Sequence, residues 1–121
     1  MRRRTSRLAS HKTTRQRKRY SAARLDALIE EATVDAYDES EQKAGFFAML
    51  EEHLKVPFLT EVLGMAVTVE TIDMTDDEEI VAVCVRGTSR QPIRILELPL
   101  PASPPEGAEW IEAYRRWARG R

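Results

Sequence analysis

Apolar positions along this chain follow two different periods, and the change falls at Pro57. Leu25, Leu28, Ile29, Ala32 and Ala36 recur at i, i+3, i+4 and i+7, the stripe of an amphipathic helix. Ser21 before it is a good N-cap residue, so a helix is predicted over 21–36. The β-branched pair Thr33 and Val34 weakens its end, which places a break near Tyr37. Asp38 followed three residues later by Glu41 has the form of a capping box, and a second helix should start there. Lys43, Phe47, Leu50 and Leu54, with Phe46 beside them, continue it until Pro57 disfavours helical geometry at Val56.

Beyond Pro57 the period becomes two. Residues 58–64 read as a short strand ended by Gly64, and residues 65–72 alternate, with Met65, Val67 and Val69 on one face and Ala66, Thr68, Glu70 and Ile72 on the other. Residues 80–86, dense in β-branched side chains, read as a central strand. A turn over 87–90 leads to a fourth strand over 92–98, with Pro92 at its start, where a missing N–H is tolerated. Four strands within 41 residues suggest a small antiparallel, partly closed barrel of SH3-like type. The four prolines of 99–107 make an extended connector. A last helix from Glu106 carries Trp110, Ala113, Tyr114 and Trp117 on one face, a stripe that reads as core packing. The fold class is therefore α+β: two N-terminal helices packed on the barrel, closed by a C-terminal helix.

Charge changes this picture at the N-terminus. Residues 1–24 hold ten of the nineteen Lys and Arg and no Asp or Glu, while residues 25–121 hold all twenty acids and a net charge of −11. The near-neutral total thus hides a basic tail, residues 1–20, on an acidic domain, residues 21–121. The tail lacks apolar periodicity and is expected to be disordered. It suits weak, non-specific contact with nucleic-acid phosphates, its own acidic domain as a docking surface, or no role at all. No aromatic residue interleaves with its arginines, which disfavours stacking on single strands.

Several classes of function drop away. The single Cys84 excludes an internal disulfide and suits a reducing compartment. No apolar run approaches the roughly 20 residues of a membrane span, and no apolar segment follows the arginines as in a secretion signal, so a cytoplasmic protein is expected. His11 and His53 are isolated, and neither Cys–His spacing nor a phosphate-cradling glycine loop is present, so an enzyme is not expected. The aromatic last helix leaves the oligomeric state open, and a plain protein-interaction module stays a rival reading.

The carboxylates are what remains. Asp35, Asp38 and Glu41 repeat every three residues, with Glu39 among them and Glu30 and Glu31 a turn earlier. On one helical turn such charges repel unless a cation sits between them. A second group, Asp73, Asp76, Asp77, Glu78 and Glu79, fills the predicted loop between the second and third strands. Neither group has the glycine and terminal glutamate of an EF-hand loop. The bland alternative is a solvated acidic surface.

The sequence VDAYDESEQ, then the GFFAMLEE helix, then PF and VLG, resembles the small calcium-binding family first recognised in cyanobacteria, the CcbP-like family. The similarity spans about residues 25–98 and is strongest from Val34 to Gly64, and the ending LPLPASPPEGAEWIEAYRRWARG resembles an extension of bacterial members. The resemblance implies a small acidic protein without an EF-hand that joins helices to a small barrel and binds Ca2+ through surface carboxylates. Residue by residue it supports Asp35, Asp38 and Glu41, with Glu39 adjacent. Asp73, Asp76 and Asp77 are matched by acidity alone.

Overall fold

A computed structural model describes residues 20–120. The expected disorder of the basic tail therefore falls, apart from Tyr20, outside the described residues. Helix α1 (Ala22–Thr33) starts where its cap predicts: the Ser21 hydroxyl accepts the Arg24 N–H at 3.0 Å. It ends three residues before Ala36. Thr33 turns its hydroxyl back onto the Ile29 carbonyl at 2.8 Å, and Asp35 takes a left-handed φ of 64° that no helix accepts. Helix α2 (Glu39–His53) follows with Leu54 as its C-cap, ending short of Val56. Its buried stripe is Phe46, Leu50 and Leu54, while Phe47 lies at the margin of the core.

Four strands form one antiparallel sheet in the order β1 (Phe58–Val62), β2 (Met65–Met74), β3 (Ile80–Arg86), β4 (Ser89–Arg94). The class is α+β as the two periods predict, but the sheet is open: β1 and β4 are its two edges, and closure into an SH3-like barrel is not seen. The reason lies in the expected fourth strand. Pairing begins earlier, at Ser89, and stops at Arg94. Residues 95–97 then turn inward and bury Ile95 and Leu98 instead of extending the sheet towards β1. The Arg115 guanidinium holds this turn by donating to the carbonyls of Ile95 (2.9 and 3.1 Å) and Leu98. Burial there pulls its pKa below the usual arginine value. Pro92 lies inside β4, where an edge strand tolerates it.

A bulge corrects the alternation predicted for β2. The register to β3 slips between Val69 and Thr71, so Ile72 joins Val69 in the core rather than facing away from it. The β1–β2 turn contains Leu63 (φ 52°) and Gly64 (φ 79°), both left-handed, as a two-residue turn of the primed type requires. Leucine suits that position poorly, and 96 % of its surface is exposed, so it gains nothing by packing. Leu63→Asn should raise stability by about 0.5–1 kcal/mol, seen as a higher urea midpoint at unchanged slope.

Helix α3 (Ala108–Arg119) buries Trp110, Ile111, Ala113 and Tyr114, and Trp117 packs at the core's edge. The aromatic stripe is thus core, with Tyr114 in edge and Trp117 in tilted contact with Phe46. The connector locks onto the end of α2. Lys55 N–H donates to the Glu106 carbonyl at 2.8 Å, and a Cβ on Gly107 would stand 2.1 Å from the His53 carbonyl oxygen. At the other end of the helical layer, Arg116 donates to Asp26 at 2.8 Å and holds that carboxyl below its usual pKa. This clamp between α3 and α1 acts above the ordinary carboxylate range and fades as pH falls through the lowered pKa.

Candidate metal centre

The corner between α1 and α2 is built by its acids. Asp35 supplies the left-handed turn, a conformation that Asp tolerates better than most residues. Asp38 closes the capping box: its Oδ1 accepts the Glu41 N–H at 2.8 Å. Glu41 reaches back with Oε1 to the N–H groups of Tyr37 (2.7 Å) and Asp38 (3.2 Å). Among the described residues, Asp38 Oδ2 and Glu41 Oε2 accept no hydrogen bond, so each acid keeps one oxygen uncommitted. The capping box therefore fixes the two carboxylates without exhausting them.

The second acidic group is the β2–β3 loop, residues 75–79. Thr75 organises it: its hydroxyl accepts the Glu79 N–H at 3.1 Å and its carbonyl accepts the Glu78 N–H at 2.9 Å. Glu78 takes a left-handed φ of 64°, and Asp76, Asp77 and Glu78 are exposed. Ser40, in the first turn of α2, donates its hydroxyl to Glu78 Oε2 at 2.7 Å. The two acidic stretches, separate in the sequence, are thus joined at one seam by this hydrogen bond.

Neighbouring cations sort these acids. Glu39 pairs with Lys43 at 3.7 Å, and Glu79 pairs with Arg94 at 3.2 Å. Asp35, Asp38, Glu41, Asp73, Asp76, Asp77 and Glu78 have no Lys, Arg or His partner among the described residues. Asp73 turns Oδ1 onto the N–H of Met74 at 2.8 Å. The donor chemistry, carboxylate and hydroxyl oxygen without nitrogen or sulfur, suits a hard cation. The side chains are not gathered about one point: among the described residues no three His, Cys, Asp or Glu groups form a metal-holding set. The expected triad of Asp35, Asp38 and Glu41 is therefore not a preformed cage, because two of its members are turned onto the backbone by the capping box.

Ser40 and Gln42 carry no signal of their contacts in the sequence. Ser40 lies between two acids and looks like an ordinary first-turn residue; nothing local announces a partner 38 residues away. Gln42 joins the corner to α3: its amide Nε2 meets the Ala36 carbonyl at 3.5 Å, and its Oε1 accepts the Trp117 Nε1–H at 2.9 Å. His53, expected on a polar helix face, stacks on Trp110 with ring centroids 5.3 Å apart. Cys84 is buried in β3, which pushes its thiol pKa up and fits an inert side chain. No helix among the described residues is long and apolar enough to cross a membrane.

A family model, CcbP, whose description is calcium binding, matches residues 26–118. No curated protein matches the chain, and no solved structure does. The matched stretch contains the corner, the loop and all of α2 and the sheet.

Proposed function

We propose that this chain, which belongs to the CcbP calcium-binding family, holds Ca2+ at the seam between the α1–α2 corner and the 75–79 loop. The observation that carries the reading is the Ser40–Glu78 hydrogen bond, which ties the acidic 75–79 loop, through Glu78, to the first turn of α2 beside the capping box. Ca2+ takes about 6–8 oxygens, more than the corner's own acids supply unless some bind in two-point fashion. Asp38 Oδ2, Glu41 Oε2 and the loop acids Asp76, Asp77 and Glu78 are the first candidates, with Asp35 at the margin. Glu39 and Glu79 rank below them, since each already has a cation beside it. With no preformed cage, binding should be open and of modest affinity, micromolar or weaker, and Mg2+ should compete poorly because it demands regular octahedral geometry. In this reading the protein is a cytoplasmic calcium binder and not an enzyme. Nucleic-acid contact would fall to the basic tail, against the repulsion of the domain's net charge of −11.

The test is calorimetric titration of the full chain with Ca2+ and with Mg2+, alongside melting curves. Ca2+ should give saturable heat and raise Tm by mass action. Asp38→Asn with Glu41→Gln keeps both capping hydrogen bonds while removing charge, since Asn and Gln serve in the same positions. This pair, and separately Asp76→Asn with Glu78→Gln, should each weaken Ca2+ binding about tenfold or more. Glu39→Gln with Glu79→Gln should change it far less. Parent-like binding by both of the first two pairs would move the site elsewhere.

A further inference from the structure

We infer that Gln42 is a positioning residue for the cation corner and that α3, through Trp117, sets and reports the corner's geometry; this rests on the calcium reading above. One side chain ties three elements together. The Gln42 main-chain N–H donates to the Asp38 carbonyl at 3.0 Å and closes the first turn of α2. Its side-chain amide faces the Ala36 carbonyl at 3.5 Å, and its carbonyl oxygen accepts the Trp117 indole N–H at 2.9 Å. Each contact orients the next, because the amide has one donor end and one acceptor end. With the oxygen held by Trp117, the NH2 end must face Ala36 and not the carboxylates. A flipped amide would offer its oxygen to the corner, and its NH2 would clash with the indole N–H.

This arrangement also places the Gln42 amide 3.5 Å from the carbonyl of Ala36, between Asp35 and Tyr37. The corner is thus tied to a helix 75 residues further along the chain. Trp117 is half-buried and lies 5.3 Å from Phe46 and 5.7 Å from Tyr114, ring centroid to ring centroid. Its ring packs on Phe46 and Tyr114, and its N–H meets the corner through Gln42.

The experiment compares the full-length parent, Gln42→Leu, Trp117→Phe and the double variant by Ca2+ calorimetry and tryptophan emission. Phenylalanine keeps an aromatic ring on Phe46 and Tyr114 but removes the donor. Each single variant should bind Ca2+ roughly threefold to tenfold more weakly, the net worth of about one hydrogen bond. The double variant should be no weaker than the worse single, because both break one chain of contacts. Ca2+ should shift the parent's emission, and Trp117→Phe should lose that shift although Trp110 remains. Parent-like affinity in Gln42→Leu, or an emission shift that survives in Trp117→Phe, overturns the inference and leaves the calcium reading standing. Absence of Ca2+ heat in the parent overturns the calcium reading and this inference with it.

Discussion

Phe46→Ala should destabilise the protein by about 3–5 kcal/mol, the range for removing a large aromatic side chain from a closed core. Phe46 is fully buried on α2. It meets Tyr114 edge to face, with centroids 5.3 Å apart and planes at 63°, and Trp117 at 5.3 Å with planes at 45°. Such pairs add about 0.5–1.5 kcal/mol beyond area burial, so the cost should lie in the upper part of the range. The helices cannot close over the gap, because Gly45 already brings α2 against the Ala32 carbonyl. In melting curves the change should lower Tm by roughly 10–20 °C for a chain of this size. A loss below 1 kcal/mol would mean that α3 repacks freely against α2. The Gln42–Trp117 contact would then hold no fixed geometry.

The sequence made some of this arrangement legible and hid the rest for identifiable reasons. Ser21 and the Asp38–Glu41 box predict both helix starts, because capping is local and read three residues at a time. Strand β3 is legible because its β-branched run has no competing period. Residues 95–98 are ambiguous in the sequence, since Ile95 and Leu98 suit a strand and an inward turn equally well; Arg115, twenty and seventeen residues away, decides for the turn. The bulge at Glu70 is invisible for a similar reason. Alternation in β2 reads as unbroken, and only pairing with β3 reveals the slip that turns Ile72 inward.

The acidic residues divide in the same way. The corner was legible because Asp35, Asp38 and Glu41 lie within seven residues. Its joining to the 75–79 loop was not, because Ser40 and Glu78 meet only once the sheet packs on α2. The capping box and the cation reading then make competing demands on the same two carboxylates. The competition is partial: one oxygen of each acid serves the backbone, and the other accepts no hydrogen bond among the described residues. A cation at the seam would therefore leave the helix cap intact.

Gly45→Ala should cost about 2–3 kcal/mol although alanine is the better helix former. Gly45 lies inside α2, where replacing glycine by alanine normally stabilises by up to about 1 kcal/mol. Here the added Cβ would stand 2.1 Å from the Ala32 carbonyl oxygen and 3.2 Å from its carbon. The obstruction is backbone, which cannot swing aside like the tip of a side chain. Relief requires the last turn of α1 to lift from α2 by about an ångström, with off-rotamer strain through the core as the cost. That turn leads directly into Asp35 and the corner. The variant should therefore lose Ca2+ affinity together with stability, whereas Leu63→Asn, at the far end of the β1–β2 hairpin, should change stability alone. Urea midpoints and Ca2+ titrations of the two variants separate the effects. A Gly45→Ala protein as stable as the parent would show that the α1–α2 crossing has slack. Lower stability with parent-like Ca2+ binding would show that the cation does not depend on how α1 enters the corner.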